Sequence, residues 1–128
     1  MTDTAEYVAD AATVAAHNDA FRRNACLAIP YGTGDPVLMG QLVATRAIHV
    51  KGVPFLQASL EAIGRLTEFT ADNDPDGYHD FGAVEIMGET VWFKIDLFDG
   101  ADLQYGSEAP DIPARTYRVL TILFPSDW

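Results

Sequence analysis

Apolar positions along the chain repeat with two different periods, and the changes from one to the other mark the elements. From Thr4 to Ala25, Tyr7, Ala11, Val14, Phe21 and Ala25 recur at spacings of four, three, seven and four. This traces one stripe of a helix over about residues 4–25, with Thr2, Asp3 or Thr4 placed to cap it. Pro30 and the run Tyr31-Gly32-Thr33-Gly34-Asp35-Pro36 break regular structure and read as a loop. Gln41 to Val50, with Leu42, Val43, Thr45, Ile48 and Val50, favours a short strand. A second helix starts near Pro54: Phe55, Ser59, Ala62, Leu66 and Phe69 step at four, three, four and three beside Leu56, Leu60 and Ile63, an apolar face wide enough to pack on a sheet.

Beyond a polar loop, Phe81–Met87 and Thr90–Leu97 flank Gly88-Glu89, the pattern of a tight antiparallel hairpin. Thr116–Phe124 supplies a further strand, and Asp99–Pro113, rich in Gly, Pro, Asp and Ser, reads as the loop between them. The predicted fold is α+β: a twisted, mainly antiparallel sheet of about four strands with two helices on one face. No internal repeat is present.

Composition supports one domain over residues 1–128. A chain of this length buries roughly two-thirds of the surface that its unfolded form exposes, and 48% of its residues are hydrophobic. With one cysteine, Cys26, no internal disulfide can form, as is usual in a reducing compartment. Arg22 and Arg23 stand upstream to activate the thiol, but a small buried hydrophobe is the commoner fate of a lone cysteine. The start of the chain has no basic stretch followed by an apolar run, and no apolar stretch nears the ~20 residues of a membrane helix, so a cytoplasmic, membrane-free protein is expected.

Charge adds the most. From Asp72 to Asp111, eleven acids stand against one base, Lys94, so nearly all of the net charge of −11 falls in that window. Such a field repels nucleic acid and attracts cations or a basic protein surface, which disfavours direct nucleic-acid binding.

Several motifs invite chemistry, and each has a plainer reading. Asp72, Asp74, Asp76 and Gly77 match the first half of a calcium loop, but its twelfth position is Ala83 in place of glutamate and Pro75 stiffens it; Asp and Asn after a helix also build turns with their own backbone. His79-Asp80 could supply a general base or a metal ligand, yet neighbours in a strand face opposite ways, so a turn role is expected. His17 and His49 show no metal spacing. Lys94 and Asp96 alternate with Phe93, Ile95 and Leu97, putting the charged pair on one strand face, where Lys94 neutralises acids. Ser107 lacks the glycines of a nucleophile elbow, and Gly32-Thr33-Gly34 lacks the lysine of a phosphate loop.

Together, Asn18-Asp19-Ala20-Phe21-Arg22-Arg23, Phe69-Thr70-Ala71-Asp72-Asn73-Asp74-Pro75, His79-Asp80-Phe81-Gly82, Trp92-Phe93-Lys94-Ile95-Asp96, Tyr105-Gly106-Ser107 and Arg118-Val119-Leu120-Thr121-Ile122 resemble the bacterial domain-of-unknown-function family 3768, in the family's order from His17 onward. The chain departs from the family pattern at Tyr78, where the family has an acid, and at Leu97 and Phe98, where it has aromatics. The resemblance implies a small cytoplasmic bacterial protein, often encoded near plasmid or phage-derived genes, with no established reaction and no catalytic residues to carry over.

The leading expectation is a binding protein without catalysis or cofactor. It would present Asp72, Asp74, Asp76, Asp80, Glu85, Glu89, Asp96, Asp99 and Asp102 to a basic partner, in one form imitating nucleic-acid phosphates to inhibit a restriction or CRISPR-type machine. The rival is a divalent-metal-dependent enzyme or regulator using the loop from Asp72 to Asp80, where oxygen ligands would favour magnesium, manganese or calcium.

Overall fold

The computed structural model describes residues 7–128. Its elements are α1 (Ala11–Leu27), β1 (Met39–Ala44), α2 (Arg46–His49), α3 (Val53–Gly64), β2 (Phe81–Ile86), β3 (Glu89–Phe98) and β4 (Tyr117–Leu123), with 3-10 turns at Pro113–Arg115 and Pro125–Asp127. The four strands form one sheet in the order β1-β4-β3-β2. β4 and β2 each pair antiparallel with β3, and β1 joins the far edge parallel to β4. The expected α+β class and mainly antiparallel sheet of four strands are what the chain forms, with the short α2 as a third helix.

Strand register explains where the core sits. Phe93 lies opposite Ile122 and Ile95 opposite Leu120, so these four side chains share one face, and there they pack with Phe21 of α1 and with Phe55 and Ile63 of α3. Gly40 of β1 lets α1 come this close: a Cβ there would meet the Phe21 ring and the Arg118 carbonyl. Trp92, Lys94 and Asp96 alternate onto the opposite face.

Four of the differences from the sequence reading have a clear physical cause. α1 starts at Ala11 because Asp10 is its cap, accepting the Thr13 N–H at 3.0 Å, while the Asp10 N–H donates to Asp111 at 3.0 Å; Thr2, Asp3 and Thr4 lie outside the described residues. The strand predicted over 41–50 ends at Ala44, since the Thr45 side chain caps α2 and turns Ile48 into the core; capping outweighs β-propensity here.

α3 stops at Gly64 and does not run on to Phe69. The Arg22 side chain of α1 takes the Ile63 carbonyl (3.0 Å) and the Leu66 carbonyl (2.8 Å), acceptors that further helical turns would need. The hairpin turn falls one residue earlier than expected: Ile86 pairs with Glu89, leaving Met87 and Gly88 at φ 50° and 83°, the left-handed pair that a two-residue hairpin requires.

Candidate functional site

The segment after α3 is built by its own polar side chains. The Thr70 carbonyl accepts from the N–H groups of Asn73 and Asp74, and Asp74 then turns inward, its Oδ1 accepting from the N–H groups of Tyr78 (2.9 Å) and His79 (3.0 Å). Asp74 is 8% exposed. The middle carboxylate of the half-matched calcium motif is thus committed to the backbone, as the turn reading expects. Among the described residues no three His, Cys, Asp or Glu side chains gather so as to hold a metal ion.

His79 adopts φ 54°, a left-handed conformation costly for a non-glycine residue. Its ring stacks on Phe69, centroids 4.0 Å apart and planes within 4°, and Nδ1 donates to Asp19 of α1, 3.0 Å from both carboxylate oxygens. Nε2 lies 3.9 Å from Asp74. The histidine therefore pairs with a residue sixty positions upstream and not with Asp80. Asp19 also accepts from Arg22 at 3.0 Å, and the Arg22 guanidinium lies over the rings of Phe69 and Phe93. Next to it, Asn18 donates to the Tyr78 carbonyl (2.9 Å) and accepts from Arg118 Nε (2.7 Å). An imidazole held through Nδ1 by a carboxylate is an oriented acid–base group, but here it locks the acidic loop onto α1 and the sheet.

Hairpin register then sorts the acids. With Phe81 opposite Lys94 and Ile86 opposite Glu89, Asp80 and Glu85 lie about 17 Å apart along the strand. At the turn end, Glu85 accepts from Thr90 and Glu89 pairs with Lys51. At the open end stand the 72–80 loop and the end of β3. There Lys94 pairs with Asp96 at 2.7 Å along one strand face, as the alternation predicts. Burial pushes the Asp80 carboxyl above its ordinary range; repulsion from Asp74, Asp76 and Asp96 adds to this against one lowering backbone hydrogen bond.

Asp72, Asp76, Asp99 and Asp102 are exposed, the last two beyond the end of β3. Of the nine acids named from sequence, the structure therefore brings Asp74, Asp76 and Asp96 close enough to act on Asp80, turns Asp74 inward, leaves Glu85 and Glu89 at the turn end, and leaves Asp72, Asp99 and Asp102 exposed. Sequence reasoning missed Asp19, Asn18 and Arg22 as the residues that hold this end in place.

The remaining candidates are structural. Burial pushes the Cys26 thiol up to about 11 despite nearby Arg22, so it stays protonated and unreactive at neutral pH. Ser107 donates to the Arg115 carbonyl and accepts from the Ala109 N–H, closing its own loop. No helix among the described residues is long and apolar enough to cross a membrane.

A family model described as a protein of unknown function (DUF3768) matches residues 44–127. No curated protein and no solved structure matches the chain.

Proposed function

We propose that this chain, which belongs to the DUF3768 family, is a non-catalytic cytoplasmic binding protein that docks the open end of its acidic hairpin onto a basic protein surface. In the form that best uses such a field, the partner is a nucleic-acid-handling complex of the restriction or CRISPR type, whose phosphate-binding surface the carboxylates occupy in place of nucleic acid.

The observation that carries this reading is the crowding at Asp80. Burial is the first cause that raises the cost of its charge and Asp74, Asp76 and Asp96 add to it, while Lys94 is the one base in the whole window from Asp72 to Asp111. Such repulsion costs stability in the isolated protein, and a cationic partner would relieve it. Its sign against pH follows from linkage. Between the ordinary value of 3.8 and the raised value, the native state holds the proton that the unfolded state has lost, so stability falls as pH rises through that window and stays lower above it.

Asp80→Asn should therefore raise the Tm at neutral pH while weakening partner capture, an opposition that a purely structural residue would not show. The test pairs thermal unfolding with pull-down from the native host at low and moderate salt, followed by challenge of the captured partner with duplex DNA. A partner retained equally by the Asp80→Asn protein, and by one in which Asp72, Asp76, Asp99 and Asp102 are all Asn, would sink the charge-based reading. Release of the partner by duplex DNA would support the mimicry form.

A further inference from the structure

The helices cover one face of the sheet, and the other carries an aromatic cluster beside the acids. Trp92, Lys94 and Asp96 alternate along that face of β3, and Phe81 of β2 stands across from Lys94. The chain then folds back after β4: Asp127 accepts from the Phe124 N–H (2.9 Å) and from the Thr45 hydroxyl (2.8 Å), which pins the turn and lays Trp128 against the cluster. Phe81 and Trp92 meet edge to face with centroids 5.2 Å apart; Trp128 stands at 80° to each, 6.1 Å from Trp92 and 6.3 Å from Phe81. Phe81, Trp92, Pro125 and Trp128 line an open notch of about 430 Å³, and Trp128 is left 73% exposed.

What fits the notch is decided by its neighbours. Asp96 lies on the same strand face as Trp92 and pairs with Lys94 there. Lys94 already shows the preferred arrangement: its Nζ sits 5.6 Å from the Trp128 ring centroid while paired with Asp96 at 2.7 Å. Ring faces are negative, as are the carboxylates, so both attract a cation. Guanidinium suits the combination better than ammonium, because it is planar, weakly hydrated, stacks on rings and pairs with a carboxylate through two donors.

We infer that the Phe81–Trp92–Trp128 notch receives an arginine side chain of the basic partner, with Asp96 supplying the counter-charge. This rests on the proposed docking of a basic surface and names its anchor. Lys94 is then an internal stand-in that the incoming arginine displaces from the Trp128 ring.

Trp92 and Trp128 are the only two tryptophans in the sequence, so intrinsic fluorescence reads the notch directly. The probes are a short blocked peptide carrying paired arginines and the same peptide with citrulline, which keeps the shape and loses the charge. The arginine peptide should shift tryptophan emission and bind at least about tenfold more tightly than the citrulline peptide, consistent with a partly desolvated cation–π contact plus an ion pair. Trp128→Ala, at an exposed position that leaves the core intact, should weaken it about three- to thirtyfold.

Lys94→Met should strengthen binding, since it frees both the ring and Asp96. Equal affinity for the two peptides would overturn the assignment of a cation. Arginine-peptide binding that is lost in Asp80→Asn but unchanged in Trp128→Ala would overturn the notch and leave the acidic docking surface standing. Absence of arginine-peptide binding even at low salt would overturn both.

Discussion

Two arginines are buried to the same extent, each 0% exposed, and the fold provides for them in opposite ways. Arg22 has a carboxylate, Asp19, the carbonyls of Ile63 in the last turn of α3 and of Leu66 just beyond it, where the helix dipole is negative, and two aromatic faces. Arg118, on the core-facing side of β4, has the amide oxygen of Asn18 at 2.7 Å and a long contact to the Pro110 carbonyl at 3.4 Å. One of its terminal nitrogens has no hydrogen-bond partner, and no carboxylate pairs with it among the described residues. Burial lowers the pKa of both; Asp19 draws Arg22 back up, whereas Arg118, helped only by Tyr31, is held at about 10. Arg118 is still charged at neutral pH. The first site is a satisfied cross-tie and the second a tolerated cost, so identical burial says nothing about which charge the fold depends on.

The largest effect should come from removing the cross-tie. Arg22→Met leaves Asp19 without its guanidinium, takes the side-chain donor from the Leu66 carbonyl and leaves the Ile63 carbonyl only the Leu66 N–H at 3.3 Å, which should cost about 3–5 kcal/mol, the range for breaking a buried pair. Denaturant unfolding measures it, and the hydrogen-exchange protection of the Thr70–Asp80 loop should fall at the same time. Arg118→Met should cost far less, under about 2 kcal/mol: Asn18 Oδ1 loses its donor, which is unfavourable, while the desolvation of an unpaired cation is removed. Equal costs for the two variants would break the comparison and would mean that Arg118 holds more than its visible partners indicate.

The contrast also marks where sequence reading succeeds. Strand alternation placed Lys94 with Asp96 on one face and the apolar residues on the other, because a period of two is local geometry. The hairpin was legible for the same reason, misplaced by one residue because only register decides which pair takes positive φ. Helix boundaries were less legible, being set by long-range acceptors: α3 ends where Arg22, forty residues earlier, claims its carbonyls.

The site was half visible. The acidic window is a fact of composition, but its division into a neutralised end and a crowded end needs the strand pairing. The apolar stripe of α1 skips from Val14 to Phe21, and the position in that gap is Asn18, fully buried, beside Asp19 and one turn before Arg22. A polar residue filling a vacancy in a core stripe predicts a buried polar network, although nothing local could identify His79 and Arg118 as its partners.

The gentlest way to sharpen the comparison is pH, through His17 beside Arg118. Among the described residues, the buried His17 Nδ1 atom has no hydrogen-bond partner. Burial lowers its pKa first and the Arg118 charge lowers it further, against a weaker pull upward from Asp35. Its folded pKa therefore lies below the ordinary 6.5. Between the two values the unfolded chain binds the proton and the native state does not, so stability rises as pH rises through this window and is lost as pH falls below 6.5.

Thermal unfolding across this range should show wild type losing Tm on acidification more steeply than His17→Gln, by a small margin because the ring is partly solvated. In an Arg118→Met background the margin should narrow, since one of the two causes is gone, and burial alone should sustain what remains. If the margin were unchanged, the Arg118 charge would not reach His17. The orphaned guanidinium would then be screened well enough to count as satisfied, and the difference between the two arginines would reduce to hydrogen bonding alone.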